Sequence, residues 1–199
     1  MLSGAVLHLV VRGYFDAYLE ATMTAETVST DAAVRELLAK QEIRDALMRY
    51  SRGVDRVDME VMLSAYHPRA NDNHGTYKGD AEGFARYLEP ALRLDNGHMH
   101  FLGNSLIEIQ GDRAASETYV IAYHRYPADE NGIERDFFFG GRYLDVFEHR
   151  DEGGWRIVKR TVVPTWTRTS DATEDWPAVT AFAEAHEDRS DLVYHLLDD

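Results

Sequence analysis

The sequence predicts an α+β fold, and two features of its patterning carry that reading. Apolar residues recur at helical spacing in the first half and alternate with period two from Met99 onward. The connections between the alternating runs are short and rich in Gly, Asp and Asn, as antiparallel hairpins need. Helices first, then a meander, then a return to helix is the order of an α+β domain and not of a doubly wound one.

Taken in chain order, residues 31–54 place Val34, Leu37, Leu38, Ile43, Leu47 and Val54 at helical spacing, with Gly53 marking a frayed end and Asp55 just past it. Asp58 is placed to cap a second short helix, stopped by Pro68. Residues 80–94 read as a third helix, bent or ended by Pro90. Strands are expected near 99–110, 113–126, 135–149 and 155–166, with Gly140 and Gly141 marking a bulge or bend. Residues 175–197 return to helix, capped by Asp175 with Pro177 in its first turn. The expected organisation is an extension over 1–30, one domain over 31–168 and a helical extension of it over 169–199. Residues 1–22 read as dispensable, with Met23 a more ordinary start.

The chain has 199 residues, 44% of them hydrophobic, enough to bury a core. Its 35 acidic and 21 basic residues give a formal net charge of −14, which argues against nucleic acid and anionic membranes as partners. It has no cysteine, so disulfides, thiol catalysis and zinc–thiolate sites are excluded. The N-terminal apolar run lacks a basic leader and is too short to span a bilayer, and a cytoplasmic protein is the expectation.

The stretch "GHMHFLGNS", residues 97–105, carries the chemistry. On a regular strand His98, His100, Leu102 and Asn104 share one face. Two histidines alone under-coordinate a metal, although Asp72 and His74 in "NDNHG" could complete a site. A general base needs one neutral imidazole and a carboxylate to orient it, and Asp55 is the best carboxylate available. An aspartate after a helix is equally a common cap or surface charge.

"EIRDALMRYSRGVDRVDMEVMLSAYHPRA", then "GTYKG" and "HFLGN", resembles the SnoaL-like branch of the NTF2-like superfamily, which includes scytalone dehydratase, bile-acid 7α-dehydratase and hexachlorocyclohexane dehydrochlorinase. The resemblance covers about residues 33–168. It implies a cone-shaped, strongly curved antiparallel sheet around a pocket, closed by helices. It also implies an Asp–His dyad, carried here by Asp55 and His100, with Asn104 four residues on. Tyr50 matches a catalytic tyrosine by spacing, and Arg160, five residues after Trp155, matches a pocket arginine. His124 matches a second histidine loosely, and His98 is a further substrate-binding position. Arg49 and Arg52 both stand near a basic position of the dehydrochlorinase. The Asp–Arg–Asp arrangement of the epoxide-hydrolysing branch is not found.

The expected function is a cofactor-independent, metal-independent lyase. His100 would abstract a proton, and Tyr50 or Arg160 would stabilise the group that gains negative charge. Water, halide or a small fragment such as formaldehyde, by retro-aldol cleavage, would leave a hydroxylated aromatic or alicyclic substrate. Eleven tyrosines, eight phenylalanines and three tryptophans are consistent with an aromatic substrate, although "DFFFGGRYLDVF" reads first as a core strand. The alternatives are a non-catalytic ligand-binding module or oxygenase partner subunit, and an isomerase or cyclase using the same base. A homotrimer or homodimer is expected from the resemblance.

Overall fold

The computed structural model describes residues 30–150, 153–172 and 182–198. The expectations for residues 1–29, and for Asp175, Trp176 and Pro177, fall outside them. The chain divides into two compact units, Met1–Leu38 and Ala39–Asp199. The described part of the first is the opening of a helix, on which Val34, Leu37 and Leu38 are exposed.

That helix, α1, runs Thr30–Asp55. In the second unit its buried residues are Ile43, Ala46, Leu47, Tyr50, Ser51, Gly53 and Val54, spaced three and four apart as one face of a helix requires. Gly53 is not a frayed end. It lies inside the helix, where a Cβ would stand 2.2 Å from the backbone nitrogen of Met62. The glycine is there because the next helix crosses at that point. A tight turn follows, with Val57 buried at φ 49°, a conformation rare for a β-branched residue. Helix α2, Met59–Leu63, is capped by Asp58 as expected, its carboxylate accepting from the Val61 N–H at 3.1 Å.

Two strands that the sequence did not announce come next, β1 (Tyr66–Asn73) and β2 (Lys78–Asp80). Helix α3, Ala81–Leu92, holds Pro90 near its end and buries Ala81, Phe84, Ala85 and Leu92. Four long strands complete the sheet: β3 (His98–Gln110), β4 (Arg113–Tyr126), β5 (Arg135–Arg150) and β6 (Gly154–Asp171). These match the expected meander.

The six strands form one curved, open sheet in the order β2-β1-β6-β5-β4-β3. It is mixed and not wholly antiparallel, because β1 runs parallel to β6. Curvature comes from register shifts. One separates Gly140 from Gly141, where the bulge was expected, and another lies at Val146/Phe147. A Cβ on Gly140 would sit 2.2 Å from the Trp166 indole, so the glycine lets that ring lie against the strand. The core draws on both layers: Ile43, Leu47, Tyr50 and Val54 from α1, Phe84 from α3, and Ile107, Phe147, Trp155 and Ile157 from the sheet.

The helix expected over 175–197 is not seen in its described part. Residues 182–198 hold one short 3-10 turn, Leu192–Tyr194, capped by Asp191. No helix among the described residues is long and apolar enough to cross a membrane.

Candidate active site

Asp55 closes α1, and the strand that faces it is β3. Its Oδ1 lies 2.7 Å from His100 Nδ1, and its Oδ2 accepts the backbone N–H of His100 at 3.1 Å. The carboxylate therefore holds one residue by ring and main chain together. With Nδ1–H committed to Asp55, Nε2 keeps the lone pair, and it has no hydrogen-bond partner among the described residues. Both side chains are mostly buried, 8% exposed for His100 and 15% for Asp55.

Two further histidines flank this pair. His98 is fully buried at its side chain and donates from Nε2 to the Val54 carbonyl at 3.0 Å, which ties β3 to the last turn of α1. Burial pushes its imidazole below the ordinary value. His124, opposite His98 across β3 and β4, bonds Asp95 Oδ2 through Nδ1 at 2.8 Å. Its ring centre is 5.9 Å from that of His98 and 5.8 Å from that of His100. Tyr126 and Phe137 stand beside it.

A charged aromatic cluster joins α1 to the sheet. Arg160, fully buried on β6, makes two bonds to Asp145 at 2.8 and 2.7 Å. Its guanidinium lies against the rings of Tyr50 and Tyr143, at 4.0 and 4.2 Å from their centres, the two rings standing edge to face with each other. Burial alone would lower its pKa, but Asp145 and the neighbouring tyrosines hold it firmly charged. Nη1 has no partner among the described residues. Tyr50 Oη lies 3.1 Å from His74 Nε2, and His74 Nδ1 makes a short contact with Asp72, whose other oxygen accepts from Tyr66 at 2.7 Å. With Nδ1–H given to Asp72, Tyr50 donates to His74. Burial drives His74 below its usual pKa against the opposing pull of Asp72, and pushes the Tyr50 phenol well up.

The predicted residues separate on this geometry. Asp55, His100, His98 and His124 come together. Tyr50 and Arg160 pack on each other, both fully buried, and Arg160 is neither at the surface nor on an edge strand. Asn104 does not join them. The register of β3 against β4 shifts between Leu102 and Ser105, so the inward face continues through Ser105, Ile107 and Ile109, and Asn104 is exposed. A bulge adds one residue and reverses the alternation beyond it. Arg49 bonds Ser64 at 3.2 Å, away from the dyad. Asp72 and His74, weighed above as metal ligands, bond each other and two tyrosines. No group of three or more His, Cys, Asp or Glu among the described residues is arranged to hold a metal.

Sequence reasoning missed Asp95, His74 as the partner of Tyr50, and Glu187. A depression of about 450 Å³ lined by Leu63, His67, Arg69, Asp80 and Arg156 contains none of the dyad residues.

A family model described as a SnoaL-like domain matches residues 35–161. Solved structures share the fold at low identity. One is a protein from Kribbella flavida, with TM-score 0.61, 15% identity, 67% of this chain and 95% of that one. A second, titled as a candidate scytalone dehydratase, is from Novosphingobium aromaticivorans, with TM-score 0.57, 20% identity, 73% of this chain and 93% of that one. A third is a hexachlorocyclohexane dehydrochlorinase from Novosphingobium barchaimii, with TM-score 0.60, 18% identity, 72% of this chain and 96% of that one. No curated protein matches the chain.

Proposed function

The chain belongs to the SnoaL-like domain family, and on that premise we propose that it is a cofactor-independent lyase in which Asp55 and His100 form the general base. The observation that carries this reading is the double grip of Asp55 on His100, which fixes the tautomer and leaves Nε2 as the proton acceptor. His100 takes a proton from carbon, or from a hydroxyl where the substrate fragments by retro-aldol cleavage. Asp55 stabilises the imidazolium that results.

Arg160 is the cation available to the negative charge that develops. Its Nη1 is a buried donor without an acceptor among the described residues, and buried donors are almost always paired. Tyr50 and the Asp72–His74 pair hold that cluster in place. Tyr126, Phe137 and His124 give the site an aromatic side, which suits an aromatic or alicyclic substrate. Similar structures carry the names of a dehydratase and a dehydrochlorinase, both eliminating activities.

The proposal extends to assembly and place. Phe101, Ile121 and Trp166 are exposed on neighbouring strands, in register with Gly140. That apolar row suits burial against another copy in a homodimer or homotrimer. We place the protein in the cytoplasm and its domain at 31–168, with 169–199 as an extension.

The test is product mass from a panel of hydroxylated and halogenated aromatic and alicyclic compounds, with wild type and His100→Ala, in chelator. Loss of a small neutral fragment by wild type, abolished in the variant and indifferent to chelator, is the expected result. Tight binding of panel members without turnover would replace the lyase with a ligand-binding module. A product of unchanged mass would make it an isomerase.

A further inference from the structure

The C-terminal segment brings a carboxylate to this site. Three anchors fix residues 182–198. Arg189 bonds Asp58 at 2.8 and 3.3 Å and Glu60 at 2.8 Å. Tyr194 donates to Asp58 at 3.2 Å. Asp191 lies 3.3 Å from Arg56 Nε and accepts the backbone N–H groups of His186 and Val193 at 3.0 Å each. Asp58 thus caps α2 and docks the segment at once. Between these anchors and His186, Glu187 is set with Oε1 3.4 Å from His98 Nδ1.

That contact has a proton requirement. His98 spends Nε2–H on the Val54 carbonyl, so a neutral ring faces Glu187 with the Nδ1 lone pair. A lone pair and a carboxylate repel at this distance, and one proton between them turns the contact into attraction. The groups facing Glu187 are His98 on β3, His124 on β4, Asp95 before β3, and Asp55 and Arg56 at the end of α1. Burial, then the charge of Asp95, raises the Glu187 carboxyl above its ordinary value, while burial lowers His98. Both directions move the shared proton toward Glu187 and away from His98. Its side chain is 34% exposed, so the proton exchanges with solvent.

We propose that Glu187 is the general acid of this site, protonating the departing hydroxyl while His100 removes the proton from carbon. The inference rests on the lyase reading and adds the second half of its proton balance. The C–H bond breaks and its proton forms N–H at His100 Nε2. The electron pair becomes the new C=C bond, the C–O bond breaks, and the Glu187 proton joins the leaving oxygen to give water. His100 then releases its proton to solvent and Glu187 takes one up, so the sum is substrate to alkene plus water. Chloride leaves without a proton, so only hydroxyl departure needs Glu187.

The experiment uses the full chain. Infrared difference spectra of wild type against Glu187→Gln at about pH 6 read the carboxyl directly. A protonated-carboxyl band present in wild type and lost in the variant is expected, and its absence overturns the proposal without reference to any substrate. Wild type, Glu187→Gln, Glu187→Asp and His100→Ala are then assayed on a β-hydroxy aryl ketone and its β-chloro analogue. The expected result is about 10²-fold loss of water elimination in Glu187→Gln, partial recovery in Glu187→Asp, and chloride elimination held within about threefold. His100→Ala loses both. Equal loss of both reactions in Glu187→Gln, with unchanged melting, overturns the acid and leaves the base standing. If wild type eliminates neither probe, or eliminates them no faster than His100→Ala, the lyase reading falls and takes the acid with it.

Discussion

Asp55 binds His100 twice, ring nitrogen to Oδ1 at 2.7 Å and main-chain N–H to Oδ2 at 3.1 Å. The second bond matters as much as the first. It fixes the carboxylate against the strand independently of the ring, so the acceptor for Nδ1–H is already in place and the imidazole turns only by giving up that bond.

Asp55→Asn keeps the size of the side chain and removes its charge. Nothing then compels the tautomer that exposes Nε2 as acceptor, and the imidazolium loses its counterion. A drop of about 10²-fold in turnover is expected, against about 10²–10⁴-fold for His100→Ala. Product formation measured alongside circular dichroism separates this loss from unfolding.

Gly53→Ala tests the crossing of α1 and α2. The new Cβ would meet Met62 backbone at 2.2 Å, and backbone cannot swing aside as a side chain can. Overpacking of this kind costs about 1–3 kcal/mol. The same displacement moves Asp58, so the C-terminal segment is expected to show faster amide exchange in the variant.

Arg160→Met leaves Asp145 fully buried and unpaired, which is expected to cost about 3–5 kcal/mol. Adding Asp145→Leu removes the stranded charge and recovers much of that loss. Urea denaturation of the two variants checks this. Catalytic loss in the recovered double variant would then report on Arg160 itself.

Stability is expected to fall as pH drops from neutrality. Burial holds His67 and His74 below the 6.5 of a free imidazole. Between their folded pKa values and 6.5 the unfolded chain binds more protons, so stability rises with pH there and is lost on acidification. Thermal midpoints between about pH 7.5 and 5.5 read the slope. His67→Gln, which can still donate to the Glu148 carbonyl that His67 Nε2 contacts at 3.0 Å, is expected to flatten it.

The long elements were legible in the sequence because each has a period of its own. The buried face of α1 and the alternation of β3 to β6 need no partner to be seen. β1 has no such signal. It contains Pro68, places Arg69 at φ 66°, and shifts register between Tyr66 and Asn71. Its strand character comes from pairing with β6, which is distant in the chain. Leu37 and Leu38 show the converse, since they have helical spacing and are exposed.

By itself the sequence determined the α+β order, the cap at Asp58, the bend at Gly140–Gly141, and the residue types of an acid–base site. Tertiary structure decided which of those residues meet. One bulge in β3 turned Asn104 outward while leaving His100 against Asp55, because a single added residue reverses a period of two. The crossing of helix and strand paired Asp55 with a residue 45 positions away. A docked C-terminal segment set Glu187 beside His98, a contact that no local pattern encodes because its ends are joined only through the folded chain.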